Sequence, residues 1–122
     1  MQIAGCQVLG TLAEGDKSNV YLAKVADSER RVVLKVSVPG AAARASELML
    51  RNEYEMTRDW PGKIQPIDLQ RNEQGSILLR DYVEGTAWGH WIRKHSPDLG
   101  TALRLAAQVA AQLDTLHQRG II

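Results

Sequence analysis

Two charged residues on neighbouring predicted elements could together hold an anion. Lys35 lies in the middle of the apolar stretch 32–38, whose valines and leucine predict a β-strand. Because side chains alternate along a strand, Lys35 shares one face with Val33 and Ser37. A lysine in this position is either solvated or held in a cleft to meet an anion, and the second role requires a carboxylate partner. Glu53 in the following predicted helix is a candidate for that partner, although a solvated helix residue is the commoner interpretation.

The surrounding segments predict an α+β arrangement, an antiparallel sheet with helices packed on it. Valine- and leucine-rich segments separated by turn residues predict the strands, and apolar residues spaced three and four apart predict the helices. The predicted strands are 8–13, 20–25, 31–38, 64–70 and 76–82, with a hairpin turn over 72–75. The predicted helices are 42–59, a short one capped by Thr86, and a last one that starts with Ser96, Pro97 and Asp98. The apolar face predicted for the first helix comprises Ala45, Leu48, Met49, Asn52 and Met56.

Length and composition exclude several classes of protein. The 122 residues form one domain or a piece of one, and the formal net charge of +1 argues against a general nucleic-acid binder. No stretch reaches the ~18 apolar residues of a membrane span. The single cysteine, Cys6, cannot form an internal disulfide, so a reducing, cytoplasmic location is expected. The three histidines lack the spacing of metal ligands.

The order of these parts resembles the amino-terminal lobe of serine/threonine-type protein kinases. Residues 12–23 form a turn between two strands ahead of the lysine strand, and residues 78–85 (LLRDYVEG) resemble the fifth strand and hinge of that family. Residues 113–122 resemble the end of the helix that runs into the kinase catalytic loop, which is expected immediately after Ile122. The resemblance implies a small lobe at 1–82, with a five-stranded antiparallel sheet and one packed helix. It implies the hinge and two helices of an incomplete large lobe at 83–122.

The resemblance also assigns roles to single residues. Lys35 matches the lysine that contacts the α- and β-phosphates of ATP, and Glu53 matches the helix glutamate that pairs with it. These two are the expected catalytic residues. ATP and Mg²⁺ are the implied cofactors, with the metal ligands outside these residues. The other matched nucleotide-binding positions are Ala13, Gly15 and Ser18 in the phosphate loop, Val20 and Val33 around the adenine, Arg80 behind it, and Asp81 and Val83 at the hinge.

Four positions depart from the pattern of the family, two of them in the phosphate loop. The phosphate loop usually carries three glycines, of which only Gly15 is present, and Val33 replaces the usual alanine. Arg80 stands where the family has an apolar residue or threonine. A buried guanidinium there must find an anion, so we expect it to pair with Glu53 first and Asp81 second.

The resemblance implies the ATP-binding portion of a kinase that transfers the γ-phosphoryl of ATP to a serine or threonine hydroxyl of a protein substrate. The alternatives are a non-catalytic pseudokinase or interaction module, and a small-molecule phosphotransferase on a kinase-like fold. Without the catalytic loop and metal ligands, the 122 residues alone are expected to be inactive. Neither a nucleic-acid nor a membrane partner is expected. Self-association is expected through an apolar stripe of the last helix, comprising Ala102, Ala106, Val109, Leu113 and Leu116.

Overall fold

An antiparallel sheet of six strands dominates the fold, in a computed structural model that describes residues 1–60, 65–73 and 75–121. The strands follow the spatial order β1-β2-β3-β4-β6-β5. They span Gln2–Ile3 (β1), Cys6–Glu14 (β2), Ser18–Val25 (β3), Arg31–Ser37 (β4), Asp68–Asn72 (β5) and Gly75–Asp81 (β6). The helices span Ala43–Thr57 (α1, preceded by a 3₁₀ turn at Gly40–Ala42), Trp88–His95 (α2) and Leu99–Gln118 (α3). The predicted α+β class is therefore confirmed.

The sequence-based count of five strands is too low, because the short strand β1 pairs with the start of β2. The two strands are joined by Ala4 and Gly5, whose φ angles of 53° and 76° both lie in the left-handed region. Positive φ at both central residues characterises tight two-residue hairpins, where asparagine or aspartate usually precedes the glycine. Alanine at the first position conceals the turn in the sequence.

A cluster of buried apolar residues lies on one face of the sheet. Val32, Leu34 and Val36 of β4 alternate inward as predicted and are almost fully buried. Leu34 stands directly opposite Leu79 of β6, so both side chains enter the same core. The other buried members of this cluster are Ile3, Cys6, Ala23 and Ile77.

Helix α1 packs against β4, β5 and β6, but through a different face from the predicted one. Its buried residues are Ser46 and Leu50. The predicted apolar face is wrong, since Leu48, Met49 and Met56 are 55%, 46% and 48% exposed. The stripe that meets the sheet contains only one large apolar residue, so counting apolar positions favoured the wrong stripe.

The second hairpin begins later than predicted. The strand predicted over 64–70 is observed at Asp68–Asn72, and residues 65–67 are not part of it. Ile64 and Gln74 lie outside the described residues. Gly75, the last residue of the predicted turn, has a φ of 110°, a conformation that glycine adopts far more readily than other residues.

The chain divides into two compact units, Met1–Val83 and Glu84–Ile122. In the second unit, α2 begins after Ala87 without a side-chain cap, so the prediction of a Thr86 cap is wrong. Asp98 is the N-cap of α3 and accepts a hydrogen bond of 2.7 Å from the Thr101 N–H, which lowers the pKa of its carboxyl group. Pro97 lies just before this cap. No described residue of α3 is buried.

Among the described residues, none of the helices has the length and apolar character needed to span a bilayer.

Candidate functional site

A salt bridge joins the two residues singled out in the sequence. Lys35 Nζ lies 2.7 Å from Glu53 Oε1, so the predicted approach of these groups is confirmed. Both side chains are about one-third exposed, at 29% and 32%. Lys35 is on β4, in the middle of the sheet, and Glu53 is on the sheet-facing side of α1. The carboxylate therefore restrains a flexible ammonium group that remains open to an anion on its exposed side.

The register of the sheet places several other candidate residues on the same face as Lys35. Residues directly opposite each other in antiparallel strands point to one face. Val20 is opposite Lys35, Ala13 is opposite Val20, and Val33 is opposite Arg80. Four strands thus contribute to one surface in which an ammonium group has apolar neighbours.

Arg80 competes with Lys35 for Glu53, as predicted. Its Nη1 lies 3.8 Å from Glu53 Oε2 and 3.3 Å from Thr57 Oγ1, and the side chain is only 17% exposed. Glu53 Oε2 accepts no hydrogen bond from the part of the chain that the structure describes. The carboxylate is therefore held between two cations, through a hydrogen bond on one oxygen and a longer ionic contact on the other.

Thr57 was missed by the sequence analysis. It follows Glu53 by one helical turn, and its hydroxyl donates to the Glu53 carbonyl over 2.7 Å. Its spacing of four residues from Glu53 is the only signal that could have placed it beside Arg80.

Asp81 pairs with Arg30 rather than with Arg80. Arg30 Nε and Nη2 donate to Asp81 Oδ1 over 3.0 and 2.9 Å. Asp81 is opposite Val32 in the sheet, hence on the face away from Arg80. The prediction of Asp81 as the second partner of Arg80 is therefore wrong, since the side chains of adjacent residues in a strand point to opposite faces. Val83 lies beyond the end of β6 and is 60% exposed.

The turn between β2 and β3 is closed by its own backbone and tied to α1. The Gly15 N–H donates to the Ser18 carbonyl over 3.1 Å, so this amide is already engaged. Ser46 of α1 is 1% exposed; its hydroxyl donates to the Lys17 carbonyl and accepts from the Val38 N–H over 3.0 Å. Nothing in the sequence distinguished Ser46 from an ordinary helix serine, yet it fixes the turn relative to α1.

Other reactive groups contribute little here. Cys6 is buried, and burial raises the pKa of its thiol, which disfavours the nucleophilic thiolate. Within residues 1–60, 65–73 and 75–121, no three His, Cys, Asp or Glu side chains form a potential metal site. Lys35, beside the apolar Val20 and Val33, is therefore the candidate anion-binding group of this unit.

Comparisons with known proteins identify the fold. No protein-family model matches the chain, and no curated protein matches it significantly. The solved kinase domain of PknI from Mycobacterium tuberculosis matches 98% of the chain with a TM-score of 0.70 and 25% sequence identity. A double mutant of the same domain matches with a TM-score of 0.71, also at 25% identity over 98% of the chain. The chain spans about half the length of these domains, 50% and 51% respectively. As its sequence predicts, the chain therefore has the fold of the amino-terminal portion of a protein kinase domain.

Proposed function

We propose that these 122 residues are the ATP-binding portion of a serine/threonine protein kinase, which transfers the γ-phosphoryl of ATP to a protein hydroxyl. The observation that carries this proposal is the 2.7 Å contact between Lys35 Nζ and Glu53 Oε1 on the face of the sheet that α1 covers. The likeness to PknI kinase domains over 98% of the chain supports it. Protein substrate, partners and cytoplasmic location remain part of the proposal.

Each site residue has a physical task in this proposal. Lys35 binds the α- and β-phosphates, and Glu53 holds the ammonium in place so that less side-chain entropy is lost on binding. Val20 and Val33 offer an apolar surface to the adenine ring. Backbone groups of the hinge, residues 81–83, hydrogen-bond the adenine edge.

The residues fit ATP better than they fit its metal. A restrained ammonium beside apolar side chains suits a nucleotide, which has both phosphates and an aromatic base. By contrast, the described residues hold no cluster of three His, Cys, Asp or Glu side chains that could bind a metal ion. Mg²⁺ supplies charge neutralisation at the β- and γ-phosphates when it is bound. We therefore assign its ligands to a part of the kinase domain outside these residues.

The β2–β3 turn should contribute less to phosphate binding than the glycine-rich loop of the family does. Glycines allow backbone amides to approach phosphates closely, and here Ala13 and Ser18 replace two of them. The remaining Gly15 amide already donates to the Ser18 carbonyl. Phosphate binding is consequently expected to depend heavily on Lys35.

A covalent probe tests the proposal directly. An acyl-phosphate derivative of ATP transfers its acyl group to an amine that lies beside the bound phosphates. We expect this probe to acylate Lys35, and excess ATP to suppress the acylation, as measured by mass spectrometry of the digested protein. Lys24 is the internal control, because its amine lies 3.8 Å from Glu29 at the opposite end of β3 from Val20. If ATP leaves the labelling of Lys35 unchanged, or protects both lysines equally, the proposal is wrong.

Replacing Arg80 with methionine is expected to improve binding of a fluorescent ATP analogue about two- to fivefold, the range that a partly exposed ion pair commonly contributes. Arg80 shares the Glu53 carboxylate with Lys35. Covering the Arg80 guanidinium with the adenine ring would also cost desolvation free energy. Arg71→Met is the matched control, since Arg71 also pairs with a glutamate of α1, Glu47, but is not one of the proposed nucleotide-binding residues. Loss of binding in Arg80→Met alone would show that the guanidinium contacts the nucleotide rather than obstructing it.

A further inference from the structure

One buried hydroxyl group connects three segments around the Lys35–Glu53 pair. Ser46 of α1 is 1% exposed; its hydroxyl donates to the Lys17 carbonyl in the β2–β3 turn and accepts from the Val38 N–H just after β4. We propose that Ser46 is a positioning residue for nucleotide binding, which holds this turn as a rigid wall beside the phosphates instead of a flexible flap. The inference rests on the proposed function, since it concerns the same site.

The hydroxyl of Ser46 satisfies two backbone groups from different segments at once. A carbonyl requires a donor and an N–H requires an acceptor, and a serine hydroxyl can be both. The two partners, Val38 and Lys17, are eight and 29 residues away along the chain. Alanine at position 46 would remove the partner of both groups in a place that solvent hardly reaches. The hydroxyl therefore links α1 to the turn and to the end of β4.

The groups that Ser46 connects lie at the end of the site proposed to hold the phosphates. Along β3 away from the turn, the residue opposite Lys35 comes before the residue opposite Val33. The turn is therefore nearer to the proposed phosphate-binding group than to the proposed adenine surface. Glu53 follows Ser46 by about two turns of α1, so both side chains lie on the same side of the helix. A movement of the turn, or of this side of α1, should consequently affect the phosphates more than the base.

The β2–β3 turn has little conformational freedom of its own. Glycine permits backbone conformations that other residues avoid, and Gly15 is the only glycine in residues 11–39. Its N–H donates to the Ser18 carbonyl over 3.1 Å, which closes the turn. The hydrogen bond from Ser46 to Lys17 then joins the turn to α1. Because these features all restrict the same segment, the turn is ordered before a ligand binds, and binding costs less entropy.

Hydrogen–deuterium exchange of the nucleotide-free, 122-residue chain tests whether Ser46 holds the turn. In Ser46→Ala, residues 12–20 should exchange at least about threefold faster than in the parent chain, because local opening no longer breaks this hydrogen bond. Alanine has the higher helix propensity, so the helix signal in circular dichroism should be unchanged.

Ser37→Ala is the matched control for this measurement. Ser37 is also buried, at 4% exposure, and its hydroxyl also accepts from a backbone N–H, that of Ser76 on β6. Exchange of residues 12–20 in Ser37→Ala should stay within about twofold of the parent, since this hydroxyl does not bond the turn. The inference is overturned if Ser46→Ala leaves exchange of the turn unchanged, or if Ser37→Ala accelerates it equally.

Displacement of a fluorescent ATP analogue by ATP and by adenosine tests the consequence for binding. Ser46→Ala should weaken ATP about three- to tenfold, because affinity falls with the fraction of molecules whose turn is in place. Adenosine has no phosphates, so its affinity should stay within about twofold of the parent value, and Ser37→Ala should change neither ligand by more. Equal weakening of ATP and adenosine in Ser46→Ala, or equal weakening of ATP in both variants, overturns the inference. If the parent chain binds neither ligand, the proposed function is wrong, whereas the exchange measurement still decides whether Ser46 holds the turn.

Discussion

Replacing Lys35 with methionine is expected to reduce phosphoryl transfer by the proposed full-length kinase at least about a hundredfold, the usual loss when one preorganised charge-stabilising group is removed from a catalytic site. Lys35 is the cation that Glu53 holds on the proposed nucleotide-binding surface, 2.7 Å from its carboxylate. The β2–β3 turn has a single glycine with an engaged amide, so the loop offers little to replace the lost charge. Transfer of radiolabelled γ-phosphate from ATP to a generic protein substrate measures the loss.

Two controls accompany this measurement. Lys24→Met changes the same residue type on the neighbouring strand β3 and should leave transfer within about twofold of the parent, because the exposed Lys24–Glu29 pair contributes little. The polypeptide of residues 1–122 alone is expected to show no transfer, since it lacks the proposed metal ligands. If Lys35→Met retains phosphoryl transfer, the role of Lys35 in phosphate binding is contradicted. If residues 1–122 alone transfer phosphate, the assignment of the metal ligands to residues outside this chain is contradicted.

The salt bridge could be predicted because a rule of strand geometry and a family resemblance agree. Alternation along β4 fixed the face of Lys35, and the resemblance to the protein kinase small lobe identified Glu53 as its partner. The pairing of Arg80 followed from the cost of burying an unpaired guanidinium, which leaves few choices of partner. The residues alone narrowed the partners of Arg80, whereas the choice of Glu53 for Lys35 depended on the family resemblance.

Predictions failed where the outcome depended on packing between distant parts of the chain. The face of α1 that meets the sheet is set by how closely the helix can approach, which favours the small Ser46 over the larger Leu48 and Met49. The hydrogen bonds of Ser46 reach Val38 and the Lys17 carbonyl, eight and 29 residues away. No pattern within a window of sequence contains such contacts. The error at Asp81 was of another kind, because alternation along β6 already excluded it as a partner of Arg80.

Replacing Gly75 with alanine is expected to lower the free energy of unfolding by about 2–4 kcal/mol, from backbone strain and overpacking together. The φ of 110° at Gly75 is outside the regions that residues with a Cβ adopt comfortably. A Cβ built at this position also overlaps Ser37 Oγ. Ser37 is 4% exposed and cannot move into solvent without leaving its place in β4. Urea denaturation followed by circular dichroism measures the change.

Gly10→Ala provides the matched control for this substitution. Gly10 lies within β2, its φ is not positive, and a Cβ built there meets no atom within 4 Å. We expect its free energy of unfolding to stay within about 1 kcal/mol of the parent value, since alanine chiefly restricts the unfolded chain at such a site. Equal destabilisation by both substitutions would show that loss of glycine itself, and not the local geometry, is responsible.

A double-mutant cycle separates the two causes of the Gly75→Ala effect. Ser37→Ala alone should cost about 1–3 kcal/mol, because it leaves the buried Ser76 N–H without the acceptor that now lies 2.9 Å away. The same substitution removes the oxygen that a new Cβ would overlap. If the overlap is a major part of the cost, the double variant is less destabilised than the sum of the two single variants by about 1 kcal/mol or more. Strict additivity would instead assign the whole effect of Gly75→Ala to its φ angle, since that strain does not depend on what occupies position 37.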